Sequence, residues 1–110
     1  MSKLPKITSD MTIAELQLYI RDMLDERGFN GQSLTRTFLG LVEEVGELAE
    51  VIKNLEKSNR NKGKDFDLSG EIADVLIYIL DIACECDIDV AKALEQKEAE
   101  NRLRDWNVKN

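Results

Sequence analysis

SGEIADVLIYIL, residues 69–80, reads as a helix apolar over most of its circumference. Continued to residue 85, it places Ile72, Ala73, Val75, Leu76, Ile77, Ile79, Leu80, Ile82, Ala83 and Cys84 over more than half of the surface. What remains is a narrow acidic strip of Glu71, Asp74, Asp81 and Glu85, with Tyr78 among them. So apolar a helix is expected to be buried on most sides, and carboxylates withdrawn from water need hydrogen bonds, cations or metal. The plainer alternative is a strip that simply faces solvent.

A second acidic step precedes it, in LVEEVGELAEVIK at residues 41–53. Glu44 and Glu47, like Glu71 and Asp74, are spaced i, i+3 and share one helix face about a turn apart. Two such faces together would hold four carboxylates around a small volume, and hard divalent ions such as Mg2+ accept ligands of this kind. Leu34, Phe38, Leu41, Val45, Leu48, Ile52 and Leu55 form the apolar stripe of this helix, with Glu44 on its flank and Glu47 further round. Taken alone, EEVGELAE also fits a solvated acidic face.

The flanking segments predict two further helices. Thr12 and Glu15 form a capping box for a helix reaching about Arg27, with an apolar stripe of Ile13, Leu16, Ile20, Met23 and Leu24 and Gly28 closing it. Ser33 caps the second helix, which is expected to end between Asn54 and Lys57. Residues 57–64 read as a basic loop, Asp67 as the cap of the third helix to about Cys86, and Asp89 as the cap of a fourth, from Val90 to about Arg104. In the fourth helix the inward stripe begins with Val90, Ala93 and Leu94 and continues as Lys97, Asn101 and Arg104, which suits contact with carboxylates or phosphate oxygens. A helix end emerging into water reads the same way.

The expected architecture is all-α, an antiparallel four-helix bundle, with residues 1–11 as a tail that orders only if it docks and 12–110 as a single helical domain. With 43% apolar residues in 110 and one Pro, the composition suits this. A net charge of -7 disfavours a nucleic-acid partner. The chain has no His, so any catalysis falls to carboxylates or metal. Cys84 and Cys86 form no redox or zinc spacing and read as free thiols. No targeting or membrane-spanning segment is legible, so no membrane partner and a cytoplasmic protein are expected. A helix as apolar as the third is hard to cover from so short a chain, which points to a homo-oligomer.

Glu44-Val-Gly-Glu47, a gap of twenty-three residues, Glu71-Ile-Ala-Asp74, and then Lys97 with Asn101 as K-x-x-x-N form a combined pattern. It resembles the MazG-type branch of the all-α nucleoside triphosphate pyrophosphohydrolases over about residues 12–105. The resemblance implies a homodimer or homotetramer that cleaves a nucleoside triphosphate to the monophosphate and pyrophosphate. It implies Glu44, Glu47, Glu71 and Asp74 as ligands of Mg2+ or Mn2+. Lys97 and Asn101 would contact phosphate or complete the metal and substrate shell, with Arg104 continuing their stripe. Glu47, offset from the apolar centre of its helix, is expected to orient or deprotonate the water, with Glu44 the alternative, and Gln17, Tyr78 and Trp106 are candidates to contact the nucleobase because they can stack on it or hydrogen-bond to it. A phosphoribosyl-ATP pyrophosphohydrolase and a non-catalytic helical oligomerisation module are the rival readings.

One length does not fit. With the second helix ending at Lys57 and the third starting after Asp67, Glu47 lies about ten residues from the turn and Glu71 about four, a mismatch of roughly 9 Å at 1.5 Å per residue. An earlier end, an earlier start or a strong crossing angle would remove it.

Overall fold

The computed structural model describes residues 2–29, 31–58 and 67–104. They form four α-helices and no strand: α1 (Ile13–Glu26), α2 (Leu34–Ser58), α3 (Leu68–Glu85) and α4 (Val90–Leu103). Most of the basic loop expected at 57–64, and Trp106, lie outside the described residues. No helix among those described is long and apolar enough to cross a membrane.

Local chemistry sets the helix ends. Thr12 Oγ1 accepts from the Glu15 amide while the Glu15 carboxylate accepts from the Thr12 amide, a closed capping box. Ser33, Asp67 and Asp89 each accept from the backbone amide three residues on. Two helices close alike. Phe29 N–H donates to Leu24 O and Gly28 N–H to Asp25 O, with Gly28 left-handed at φ 74°; Ile88 N–H donates to Ala83 O and Asp87 N–H to Cys84 O, with Asp87 at φ 55°. Both are Schellman closures, and at the second Asp87 takes a conformation usually left to glycine.

α3 is the central helix. α2 packs along one side of it, α1 along another, and α4 folds back onto α1. Ile20, Met23 and Leu24 of α1 meet Leu80 of α3 in the core, bordered by Leu4, Leu16, Tyr19, Cys84 and Val90. The N-terminal tail docks here: Ser2 Oγ and Lys3 N–H donate to the two oxygens of Glu26, which places Leu4 on the core. Gln17 ties the other end, its Nε2 donating to Ile88 O at 2.6 Å and its Oε1 accepting from Val90 N–H at 3.0 Å.

The burial of α3 departs from expectation. Its acidic strip faces α2, and its apolar face is open beyond the reach of the short α1: Ile72 is 52% exposed, Leu76 41% and Ile79 42%. The stripe of α2 splits for the same reason. Leu41, Leu48 and Leu55 are half-buried, whereas Leu34, Phe38, Val45 and Ile52 are exposed. Among the described residues, apolar faces on two helices are therefore left without cover. The chain's radius of gyration, 17.0 Å, exceeds the about 13 Å of a compact domain this long.

Candidate metal centre

α2 and α3 run antiparallel, with Thr37 beside Glu85, Gly40 against Tyr78 and Glu44 beside Glu71. This register brings one carboxylate oxygen each of Glu44, Glu47 and Glu71 within 4.8 Å of one another. The length mismatch is absorbed without moving either helix end. α2 runs eleven residues past Glu47 to Ser58, α3 only three back from Glu71 to Leu68, and α2 overhangs by about 12 Å.

Two oxygens at the centre, Glu44 Oε1 and Glu71 Oε1, are withdrawn from water and have no hydrogen-bond partner. Desolvation, and then repulsion by Glu47 and Asp74, hold the Glu44 carboxyl above the ordinary range. Glu71 is raised by desolvation and the same two neighbours, against a hydrogen bond with Glu44 that pulls it down. Asp74, exposed and one turn beyond Glu71, adds charge to both but is not among the three converging oxygens.

Orphaned, mutually repelling oxygens are a fitting donor set for a hard cation. Ligands on one octahedral ion at 2.0–2.1 Å lie about 3–4 Å apart, a small contraction from the spacing here. Glu44, Glu47 and Glu71 could close on such an ion by side-chain adjustment alone.

The residues expected to bind substrate are elsewhere in the chain. Lys97 Nζ lies 3.6 Å from Glu100 on the same helix, both well exposed, and α4 packs on α1 rather than along the acidic step. Asn101 is half-buried and Arg104 exposed at the end of that helix. The Gln17 amide is engaged by the α3–α4 connection. Cys84 and Cys86 are free, and burial pushes the Cys84 thiol up.

Further structure surrounds Tyr78. A Cβ on Gly40 would stand 2.5 Å from Tyr78 Cε1, so the ring needs glycine there. Thr37, only 4% exposed, donates to Glu85 at 2.8 Å. Neither Gly40 nor Thr37 is singled out by sequence, because their roles depend on the α2–α3 register.

Residues 32–104 match the MazG nucleotide pyrophosphohydrolase domain. Over 73 residues the chain is 38% identical to dCTP pyrophosphatase 1 of Rattus norvegicus and to dCTP pyrophosphatase 1 of Mus musculus, covering 60% of this chain and 42% of each relative. The chain thus spans less than half the length of the curated relatives it matches. No solved structure matches it. The matched segment carries all four acids and the three helices α2, α3 and α4, and the chain belongs to the MazG nucleotide pyrophosphohydrolase domain family.

Proposed function

We propose that the chain is a metal-dependent nucleoside triphosphate pyrophosphohydrolase, releasing a monophosphate and pyrophosphate. The observation that carries this reading is the convergence of Glu44, Glu47 and Glu71 with two oxygens that lack partners. Glu44, Glu47, Glu71 and Asp74 would hold Mg2+ or Mn2+. Bound there, the ion would offset phosphate charge, polarise a phosphoryl oxygen and acidify a water. With no His in the chain, a carboxylate must take the water proton. Glu47 is the residue for this: it is exposed, whereas Glu44 and Glu71 each keep an oxygen out of water. The curated relatives' names make dCTP the first substrate to try.

The active form in this reading is a homodimer or homotetramer. The exposed apolar faces of α2 and α3 support it, and a second copy is a route by which Lys97, Asn101 and Arg104 reach phosphates held at an acidic centre. The test is a panel of canonical, modified and phosphoribosyl nucleotides with Mg2+ or Mn2+, read as pyrophosphate release. Release from dCTP or another triphosphate is expected. Metal binding without turnover of any of them would leave a non-catalytic module.

A further inference from the structure

Beside the acidic centre lies a hollow of about 730 Å³, walled by the end of α1, the first turns of α2 and the middle of α3. Its charges are segregated. Along α2 the wall carries Arg36, Gly40 and Glu43, at i, i+4 and i+7, so a cation and an acid share one face about 10 Å apart. Glu43 and, from α3, Asp74 stand at the end next to the acidic centre. Arg27, which follows α1, and Gln32, which precedes α2, belong with Arg36 to the other end.

Arg36 is poorly placed for the helix alone. It sits in the first turn of α2, where the dipole favours acids, and that turn holds none. Neither guanidinium has a carboxylate partner among the described residues. Glu26, the neighbour of Arg27, has both oxygens taken by Ser2 and Lys3. Glu85, beside the start of α2, accepts from Thr37 and shares a hydrogen bond with Asp81. Two guanidiniums and the positive end of a 25-residue helix therefore border one hollow, in a chain of net charge -7. Such a wall favours an anion with several oxygens, because a guanidinium binds phosphate through paired N–H donors. A triphosphate held at the acidic centre carries more negative charge than one divalent ion offsets, and needs cations of this kind.

We propose that Arg27 and Arg36 bind the β- and γ-phosphates: with the α-phosphate at the acidic centre, the pyrophosphate part of the substrate lies along this hollow and ends between the two guanidiniums. The proposal rests on the pyrophosphohydrolase reading for where the α-phosphate sits. It assigns the leaving group to cations of the same chain, whereas Lys97, on a helix packed against α1, would have to come from a second copy. Arg27 lies before the segment that matches the family, so part of this subsite is built outside that match.

The test is calorimetric titration of the full chain, with Mg2+, by inorganic pyrophosphate and by orthophosphate, neither of which carries a base. The intact protein should bind pyrophosphate roughly tenfold or more tightly than orthophosphate, the scale of one added hydrogen bond to a charged group. Replacing both arginines, Arg27→Gln with Arg36→Gln, should bring the two affinities to within about twofold to threefold, and Arg36→Lys alone, which keeps the charge but not the paired donors, should fall between. Both side chains are exposed, so the thermal midpoint of the double variant should stay near that of the parent. Three results overturn the proposal: no preference for pyrophosphate in the intact protein, a preference that survives the double substitution, or a lower midpoint with an unchanged preference, which is the mark of a structural role. Hydrolysis of triphosphates is measured separately. An arginine-dependent preference without hydrolysis removes the pyrophosphohydrolase reading and keeps the anion subsite; hydrolysis with a preference indifferent to both arginines does the reverse.

Discussion

Tyr78 of α3 lies so close to Gly40 of α2 that a methyl group on residue 40 would stand 2.5 Å from ring carbon Cε1 and 2.8 Å from Cζ. The two helices approach here through the absence of a side chain. Glycine inside a helix costs about 1 kcal/mol relative to alanine, so its place in α2 is explained by packing. Gly40→Ala recovers that propensity but forces the ring aside, and overpacking of this kind costs about 1–3 kcal/mol. The expected net effect is a loss of stability, with the thermal midpoint lower by several degrees. Gly46, on the same helix, has nothing within 4 Å of an added Cβ. Gly46→Ala is expected to stabilise by up to about 1 kcal/mol. Equal shifts for the two variants in thermal unfolding would contradict the close approach.

The acidic centre predicts opposite effects of glutamine in the presence and absence of metal. Without metal, Glu71→Gln removes repulsion among converging carboxylates and should raise stability. With Mg2+ or Mn2+, the intact protein should gain about 2.7 kcal/mol at a hundred times the dissociation constant, and Glu71→Gln or Glu44→Gln should lose most of that gain. Glu47→Gln separates ligand from base. It is expected to keep part of the metal-induced shift while turnover falls about 100-fold or more. A metal-free Glu71→Gln variant less stable than the parent would argue against repulsion at the site.

The helix ends were legible because their causes are local: Thr12 with Glu15, and Asp67 and Asp89 with amides three residues on. The acidic pairs were legible because i, i+3 spacing places them on one face whatever packs nearby. Which face α3 would hide was not legible, since an apolar majority calls for burial and no element among the described residues covers Ile72, Leu76 and Ile79. The overhang of α2 past the start of α3 was equally beyond reach, because register is decided by side chains meeting across helices. Gly40 and Thr37 carry no sequence signal of their own; each acquires its role only once Tyr78 and Glu85 lie opposite.

Gln17 offers a clean choice between structure and substrate. Its amide bonds both Ile88 O and Val90 N–H, joining α1 to the α3–α4 connection. Gln17→Ala should lose two hydrogen bonds and cost about 1–2 kcal/mol of stability. If Gln17 acts only as this tie, KM for the preferred nucleotide should stay within about twofold at temperatures where the variant is folded. A large rise in KM with unchanged stability would instead place the amide on the base.

Asp81 gives the stability of the protein a direction in pH. Burial, and then the hydrogen bond and charge of Glu85, push its carboxyl from the usual 3.8 up to about 7. The folded chain therefore keeps a proton that the unfolded chain releases near its ordinary value. Where the folded state binds more protons, stability falls as pH rises. The contribution is fully present below about pH 4 and is lost as pH climbs through about 7. In metal-free protein Glu44 and Glu71 act in the same direction, since both are raised. Denaturant midpoints with chelator present should therefore decline between pH 4.5 and 8, and Asp81→Asn should flatten the upper part of that decline. Saturating metal should oppose the Glu44 and Glu71 share, because a bound cation favours their ionised forms. A midpoint in the parent that rises steadily across this range without metal would mean that Asp81 is not held protonated in the folded chain.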